Sequence, residues 1–200
     1  YENFPVASIL LPKKIRKPIA VIYTFARTAD DFADEGNLTQ NERLTKLDNY
    51  WHQLEKIQDN KPITEPLFLA LQDIIDEFEL PIDCFFNLLK AFKQDVVKNR
   101  YDTFEEVLDY CRYSADPVGR LLLHLTQHAT PQNLSLSDNI CTGLQLINFL
   151  QDVHPDLQDR DRCYIPVQCL SQYNVTLDDI LSKKESANYH ALIDDFFNKT

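Results

Sequence analysis

Three aspartates and an arginine share one helical stripe near the start of the chain. At 100° per residue, Tyr23, Arg27, Asp30 and Asp34 fall within about 60° of one another, and Asp31 lies at the stripe's edge, about 80° from Tyr23. A second stripe repeats the pattern far along the chain, where Gln145, Asn148, Asp152 and Asp156 fall within about 80°. Carboxylates at i and i+4 place their Cβ atoms about 5–6 Å apart, close enough to share a cation. Two such charges 4 Å apart repel by about 4 kcal/mol at an effective dielectric of 20, so a cleft lined by five of them calls for divalent metal. Magnesium suits best, because it takes one or two carboxylates and completes its octahedron with water and phosphate oxygens. Arg27 adds a planar fork for phosphate. The implied chemistry is a diphosphate substrate held between two facing helices through Mg2+. An EF-hand fails on spacing: Asp31 lacks a ligand two residues on, and no glutamate closes the loop.

The elements that must position these residues read as helices. Pro18 predicts the start of a first helix reaching about Glu35 and stopped by Gly36, with the basic run Lys13, Lys14, Arg16 and Lys17 before it. Thr39 and Glu42 form a capping box for a second. A third starts near Thr64, and a fourth runs from about Ile82 to Lys98 with Phe85, Leu89, Phe92 and Val96 inward. Thr103 and Glu106 open a fifth, which Pro117 kinks or divides. A sixth spans about Asp138 to Asp156; its run from Asn139 to Gln151 carries no charge, which predicts a core helix. Shorter helices follow Pro166 and Thr176. No alternating strand pattern stands out, so the expectation is a single all-α domain over residues 1–200.

Composition narrows the classes. With three glycines in 200 residues, neither a Walker A loop nor G-x-G-x-x-G can be assembled. A net charge of −11, from 31 acidic and 20 basic residues, opposes nucleic-acid binding. Five cysteines, never spaced C-x-x-C, suit a reducing compartment, hence the cytoplasm, and not a zinc site. No apolar run is long enough to span a bilayer, and the absence of methionine places the start of the sequence inside its gene product.

Tyr23-Thr-Phe-Ala-Arg27-Thr-Ala-Asp30-Asp31-Phe-Ala-Asp34-Glu35 resembles the first aspartate-rich motif of the squalene/phytoene synthase family. Gln145-Leu-Ile-Asn148-Phe-Leu-Gln-Asp152-Val-His-Pro-Asp156 resembles its second, and Arg162-Cys-Tyr164-Ile-Pro166 is similar to the R-x-Y-x-P that follows. The segment from Tyr110-Cys111 to Gly119 matches the family's intervening Y-C region, with Ser114-Ala115-Asp116 where most squalene synthases have Val-Ala-Gly. Asn3-Phe4-Pro5-Val6-Ala7-Ser8, Asn148-Phe149 with Gln151-Asp152, and Ser114-Ala115 with Pro117-Val118-Gly119-Arg120 are most similar to the bacterial hydroxysqualene synthase branch. The resemblance implies an isoprenoid-synthase helical fold with a central cavity and magnesium, two or three ions, bridging aspartates to diphosphate. It further implies presqualene diphosphate as substrate, capture of the rearranged cation by water, and no need for NADPH. Family members continue through further helices that wall the cavity. Alternatives are an NADPH-dependent squalene synthase, a phytoene- or dehydrosqualene-type condensation of prenyl diphosphates, or an inactive helical assembly protein.

The roles follow. Asp30, Asp34, Asp152 and Asp156 are expected at the metal, with Asp31 secondary because of its angle. Arg27 should grip diphosphate, with Gln145 and Asn148 orienting waters, phosphate or metal. Arg162 pairs either with diphosphate or with an aspartate of the second motif. Tyr23 and Tyr110 are either hydroxyls beside the cation or core filling. His124 and His128 have zinc-ligand spacing but lack the glutamate of H-E-x-x-H, and read as core or surface histidines. The basic run reads as solvated charge, with contact to anionic lipid at the inner membrane face as its alternative. Phe85, Phe86, Phe92 and Phe104 fit either a hydrocarbon cavity or ordinary packing.

Overall fold

The computed structural model describes residues 11–199 and consists of eleven α-helices. Among the described residues there is no strand, only an isolated bridge between Arg100 and Cys163. The segment Asn3–Ser8 lies outside the described residues.

Helix α1 (Lys13–Asp34) starts five residues earlier than expected. Pro12 precedes it, so Pro18 sits inside the helix and the basic run forms its first turns. Ile15, Pro18, Ile22, Phe25, Ala29 and Ala33 bury one face, which leaves the aspartate stripe on its flank. Arg43 of α2 (Gln40–Gln58) donates to the carbonyls of Phe32, Glu35 and Gly36 at 2.8–3.0 Å. It thereby satisfies the open end of α1, while Gly36 takes the left-handed φ of +71° needed for the turn. The Thr39 capping box forms as expected. Helix α3 (Pro66–Phe78) begins on its own proline, two residues after Thr64.

Helix α4 (Ile82–Val97) packs against α1, α2, α5 and α6 and separates two apolar clusters. One holds Phe25, Leu47, Leu54, Phe68, Leu71 and Phe85; the other holds Tyr101, Tyr110, Leu146, Phe149, Tyr164 and Phe196. Pro117 divides the next stretch into α5 (Phe104–Ser114) and α6 (Asp116–Leu125). Gly119 marks a close crossing of α6 over the next helix, where an added Cβ would lie 2.2 Å from Ser137 Oγ and 2.6 Å from Cys141 Sγ.

The sixth helix of the sequence reading is two. Helix α7 (Pro131–Gln151) starts earlier, with Thr130 as its cap, and ends before Asp152; α8 (Val153–Arg160) follows at once. Pro155 supplies the reason: it has no N–H to give to the Gln151 carbonyl. The expected core helix is also corrected. Only Leu146 and Phe149 of α7 are buried, while Ile140 and Leu144 are 63% and 58% exposed. An uncharged run does not require burial on every side. Three shorter helices, α9 (Val167–Gln172), α10 (Leu177–Leu181) and α11 (Ala187–Asn198), close the second cluster.

Candidate active site

Between the two clusters lies a cavity of about 250 Å³. Asp30 and Asp34 of α1 line it together with Gln145, Asn148, Asp152 and Asp156 from α7, α8 and their junction. Phe92 and Asp95 of α4, Tyr110 and Ser114 of α5, and Arg162 and Tyr164 complete the wall. The two motifs, more than a hundred residues apart in sequence, therefore meet across one space. Asp152 is the hinge between α7 and α8, yet its amide still donates to Asn148 and its carbonyl accepts from Asp156, both at 2.9 Å. The i, i+4 relation thus survives the break.

The carboxylates feel one another. Burial, then the charges of Asp34 and Asp31, push the Asp30 carboxyl up to about 6, against the pull of Arg27. Burial and Asp152 likewise raise Asp156, opposed by Arg160. Asp31 is turned towards Arg27, with its Oδ1 2.9 Å from Nη2, and it does not line the cavity. Even so, that oxygen receives no well-directed hydrogen bond. Arg27 also approaches Asp30 at 3.5 Å and stays half-exposed outside the cavity wall, and Tyr23, partly buried, does not line the cavity either.

Arg162 shows what sequence reasoning missed. Its guanidinium holds Asp34 of the first motif, not the second, through Nη1 at 3.2 Å and Nη2 at 2.9 Å. Nη2 also donates to the Asp95 carbonyl at 2.9 Å. Asp95 is a buried carboxylate, 7% exposed, that accepts from Tyr110 Oη at 2.5 Å and Tyr164 Oη at 2.9 Å. Burial lifts it to about 6, while Arg162 and the two hydroxyls pull it down. The signal was present: Asp95 follows Leu88 and Ala91 on the buried face of α4, where a charge demands partners. Tyr164, equally unassigned, stacks on Phe149 with ring centroids 3.8 Å apart and on Tyr101 at 5.4 Å. The segment carrying it is pinned to the end of α4 by Cys163 N donating to Asn99 O and Val167 N to Tyr101 O. Tyr110 proves to be both buried and hydrogen-bonded, joining packing with a polar role. Of the four phenylalanines, Phe92 lines the cavity, Phe85 packs on Phe25, Phe86 on Trp51 and Phe104 on Phe196.

The donor set suits magnesium: hard carboxylate and amide oxygens, with carboxyls destabilised by their own proximity. Among the described residues, however, no three carboxylate, histidine or cysteine side chains stand close enough to hold an ion between them as placed. Asp34 and Asp156 are instead paired with arginines. The histidines at 124 and 128 form no such group either. A roomier groove of about 650 Å³ beside α6 contains Asp116, bound by Thr142 at 2.9 Å, but none of the motif aspartates.

Sequence and structure comparisons decide the family. The squalene/phytoene synthase family model matches residues 1–200. The chain belongs to the squalene/phytoene synthase family. It is 38% identical to a hydroxysqualene synthase of Sinorhizobium fredii over 185 residues, 92% of this chain and 62% of that protein. It is 32% identical to a phytoene synthase of Arthrospira platensis, covering 96% of this chain and 65% of that protein. The crystal structure of squalene synthase HpnC from Alicyclobacillus acidocaldarius superposes with a TM-score of 0.86 at 38% identity, over 98% of this chain and 73% of that one. A dehydrosqualene synthase solved with a ligand gives 0.82 at 26% identity, over 94% of this chain and 65% of that one. The chain thus spans about three-fifths of the length of the hydroxysqualene synthases it matches. No described helix is long and apolar enough to cross a membrane.

Proposed function

We propose that this chain carries the diphosphate-ionising centre of a magnesium-dependent isoprenoid synthase that converts presqualene diphosphate to hydroxysqualene. The observation that carries this reading is the single cavity in which Asp30 and Asp34 face Asp152 and Asp156. Its similarity to three hydroxysqualene synthases at 38% identity favours water as the final nucleophile.

Asp30, Asp34, Asp152 and Asp156 would hold magnesium, with Gln145 and Asn148 orienting its waters or the phosphate oxygens. Magnesium, when bound, neutralises the diphosphate and makes it a better leaving group. Arg27, half-exposed beside Asp30 and Asp31, would meet the incoming anion. The C–O bond to the diphosphate breaks with its electron pair leaving on oxygen, and the resulting carbocation rearranges. The rings of Phe149, Tyr164 and Tyr110 form an aromatic wall that stabilises positive charge. Asp95 accepts a hydrogen bond from each tyrosine hydroxyl, which fixes the orientation of those rings. Water then adds its oxygen to the cation and releases a proton.

The whole protein incubated with presqualene diphosphate and Mg2+, without NADPH, is expected to give hydroxysqualene by mass spectrometry. Squalene formed only with NADPH, or C30 and C40 products from shorter prenyl diphosphates, would replace this reading with a neighbouring one. Asp30→Asn and Asp152→Asn should each lower kcat by at least about 100-fold, the scale set by loss of one electrostatic group at a reacting centre. Full activity in both would remove the metal assignment. Magnesium with inorganic pyrophosphate should also raise Tm; no shift would favour an interaction protein without a diphosphate site.

A further inference from the structure

Arg160 touches both aspartate motifs at once. Its Nε lies 3.3 Å from Asp34 Oδ2 and its Nη1 3.1 Å from Asp156 Oδ1. A fixed positive charge thus bridges α1 and α8 where the two carboxylate stripes converge. The backbone sets this up: Arg160 is the last residue of α8, one turn after Asp156. Asp161 then takes a left-handed φ of 50° and sends the chain back to Arg162. The two arginines differ in freedom. Arg162 is 8% exposed and tied to Asp34 and to the Asp95 carbonyl, so it belongs to the frame. Arg160 is 35% exposed and pairs with those two carboxylates. A long, solvent-reaching side chain can leave without unpacking the core.

We propose that Arg160 is a displaceable counter-ion, which holds Asp34 and Asp156 together until magnesium arrives and then swings from the carboxylates onto the diphosphate. The inference rests on the metal reading above. The physical argument is competition for the same oxygens. A guanidinium offers one delocalised charge at about 3 Å, whereas Mg2+ offers two at about 2.1 Å, and bound diphosphate gives the freed guanidinium a new bidentate partner. Metal and diphosphate should therefore bind cooperatively, each helping to release the latch or to reward its release.

The test uses calorimetric titration and melting of the full protein with Mg2+ alone and with Mg2+ plus inorganic pyrophosphate. In Arg160→Gln, the metal-free Tm should fall, Mg2+ alone should bind about tenfold tighter, and the gain from pyrophosphate should shrink. Arg160→Lys keeps the charge but has one ammonium in place of a fork, so it should lie between the two. Magnesium affinity unchanged or weaker in Arg160→Gln, with wild type binding normally, overturns the latch. So does an Arg160→Lys protein that binds Mg2+ as tightly as Arg160→Gln, since a retained positive charge would then not compete with the metal. If Mg2+ and pyrophosphate shift none of the three proteins, the metal reading falls and the latch with it.

Discussion

Asp95 is the residue on which most of the polar frame converges. It fixes Tyr110 and Tyr164 through its carboxylate and Arg162 through its carbonyl. Its carboxyl is raised to about 6 chiefly by burial. A carboxyl that holds its proton more tightly when folded than when unfolded stabilises the fold below the unfolded value near 3.8, and loses that contribution as pH rises through about 6. Asp95→Asn has no such titration. Wild type should therefore lose stability relative to Asp95→Asn between pH 4 and pH 7, by up to about 3 kcal/mol. Denaturant melts of both proteins across that range check the sign. A difference independent of pH would mean that Asp95 titrates in its ordinary range.

At the scale of elements, the ends of helices matter more than their middles. Arg43 closes the C-terminus of α1 immediately after the first aspartate motif, with three carbonyl acceptors. Arg43→Ala should cost about 1–3 kcal/mol, because three carbonyls lose a charged donor. Urea unfolding measures it, and a cost under about 0.5 kcal/mol would show that water replaces the arginine. The α7–α8 break is a second such point. Pro155→Ala restores the N–H that can bond Gln151 and should stabilise the joint, since a proline within a helical ladder costs about 3 kcal/mol. Joining the helices swings α8, and with it Asp156, relative to Gln145 and Asn148 of α7, so Mg2+ with pyrophosphate should raise Tm less than in wild type. A more stable protein with an undiminished magnesium shift would make the break irrelevant to the site.

For the whole molecule, the two clusters on either side of α4 create the cavity, and the outer face of α7 remains apolar. Leu136, Ile140 and Leu144 repeat every four residues and are all exposed. Side chains already in water contribute little burial energy, so Ile140→Gln with Leu144→Gln should leave the stability of the 200-residue chain within about 0.5 kcal/mol. The same pair should lower binding of a hydrophobic dye and raise solubility. A loss of several kcal/mol would mean that this face packs in solution.

The sequence by itself determined the all-α class, several helix caps and the family. Thr39, Thr103 and Pro117 act through neighbours within a few residues, and the aspartate spacing is a property of one helix at a time. The bounds of α7 are not legible in its uncharged run, because lack of charge requires neither burial nor continuity, and Pro155 removes one ladder bond where the periodicity runs on. Only the tertiary structure decided which charges meet. Arg162 and Arg160 reach Asp34 across more than 120 residues of chain, and Asp95 gathers two tyrosines from different elements. Periodicity tells which face a side chain is on, but not what stands opposite. That is set by the packing of α1, α4 and α8, and it turns two acidic stripes into one site whose carboxylates already hold arginines.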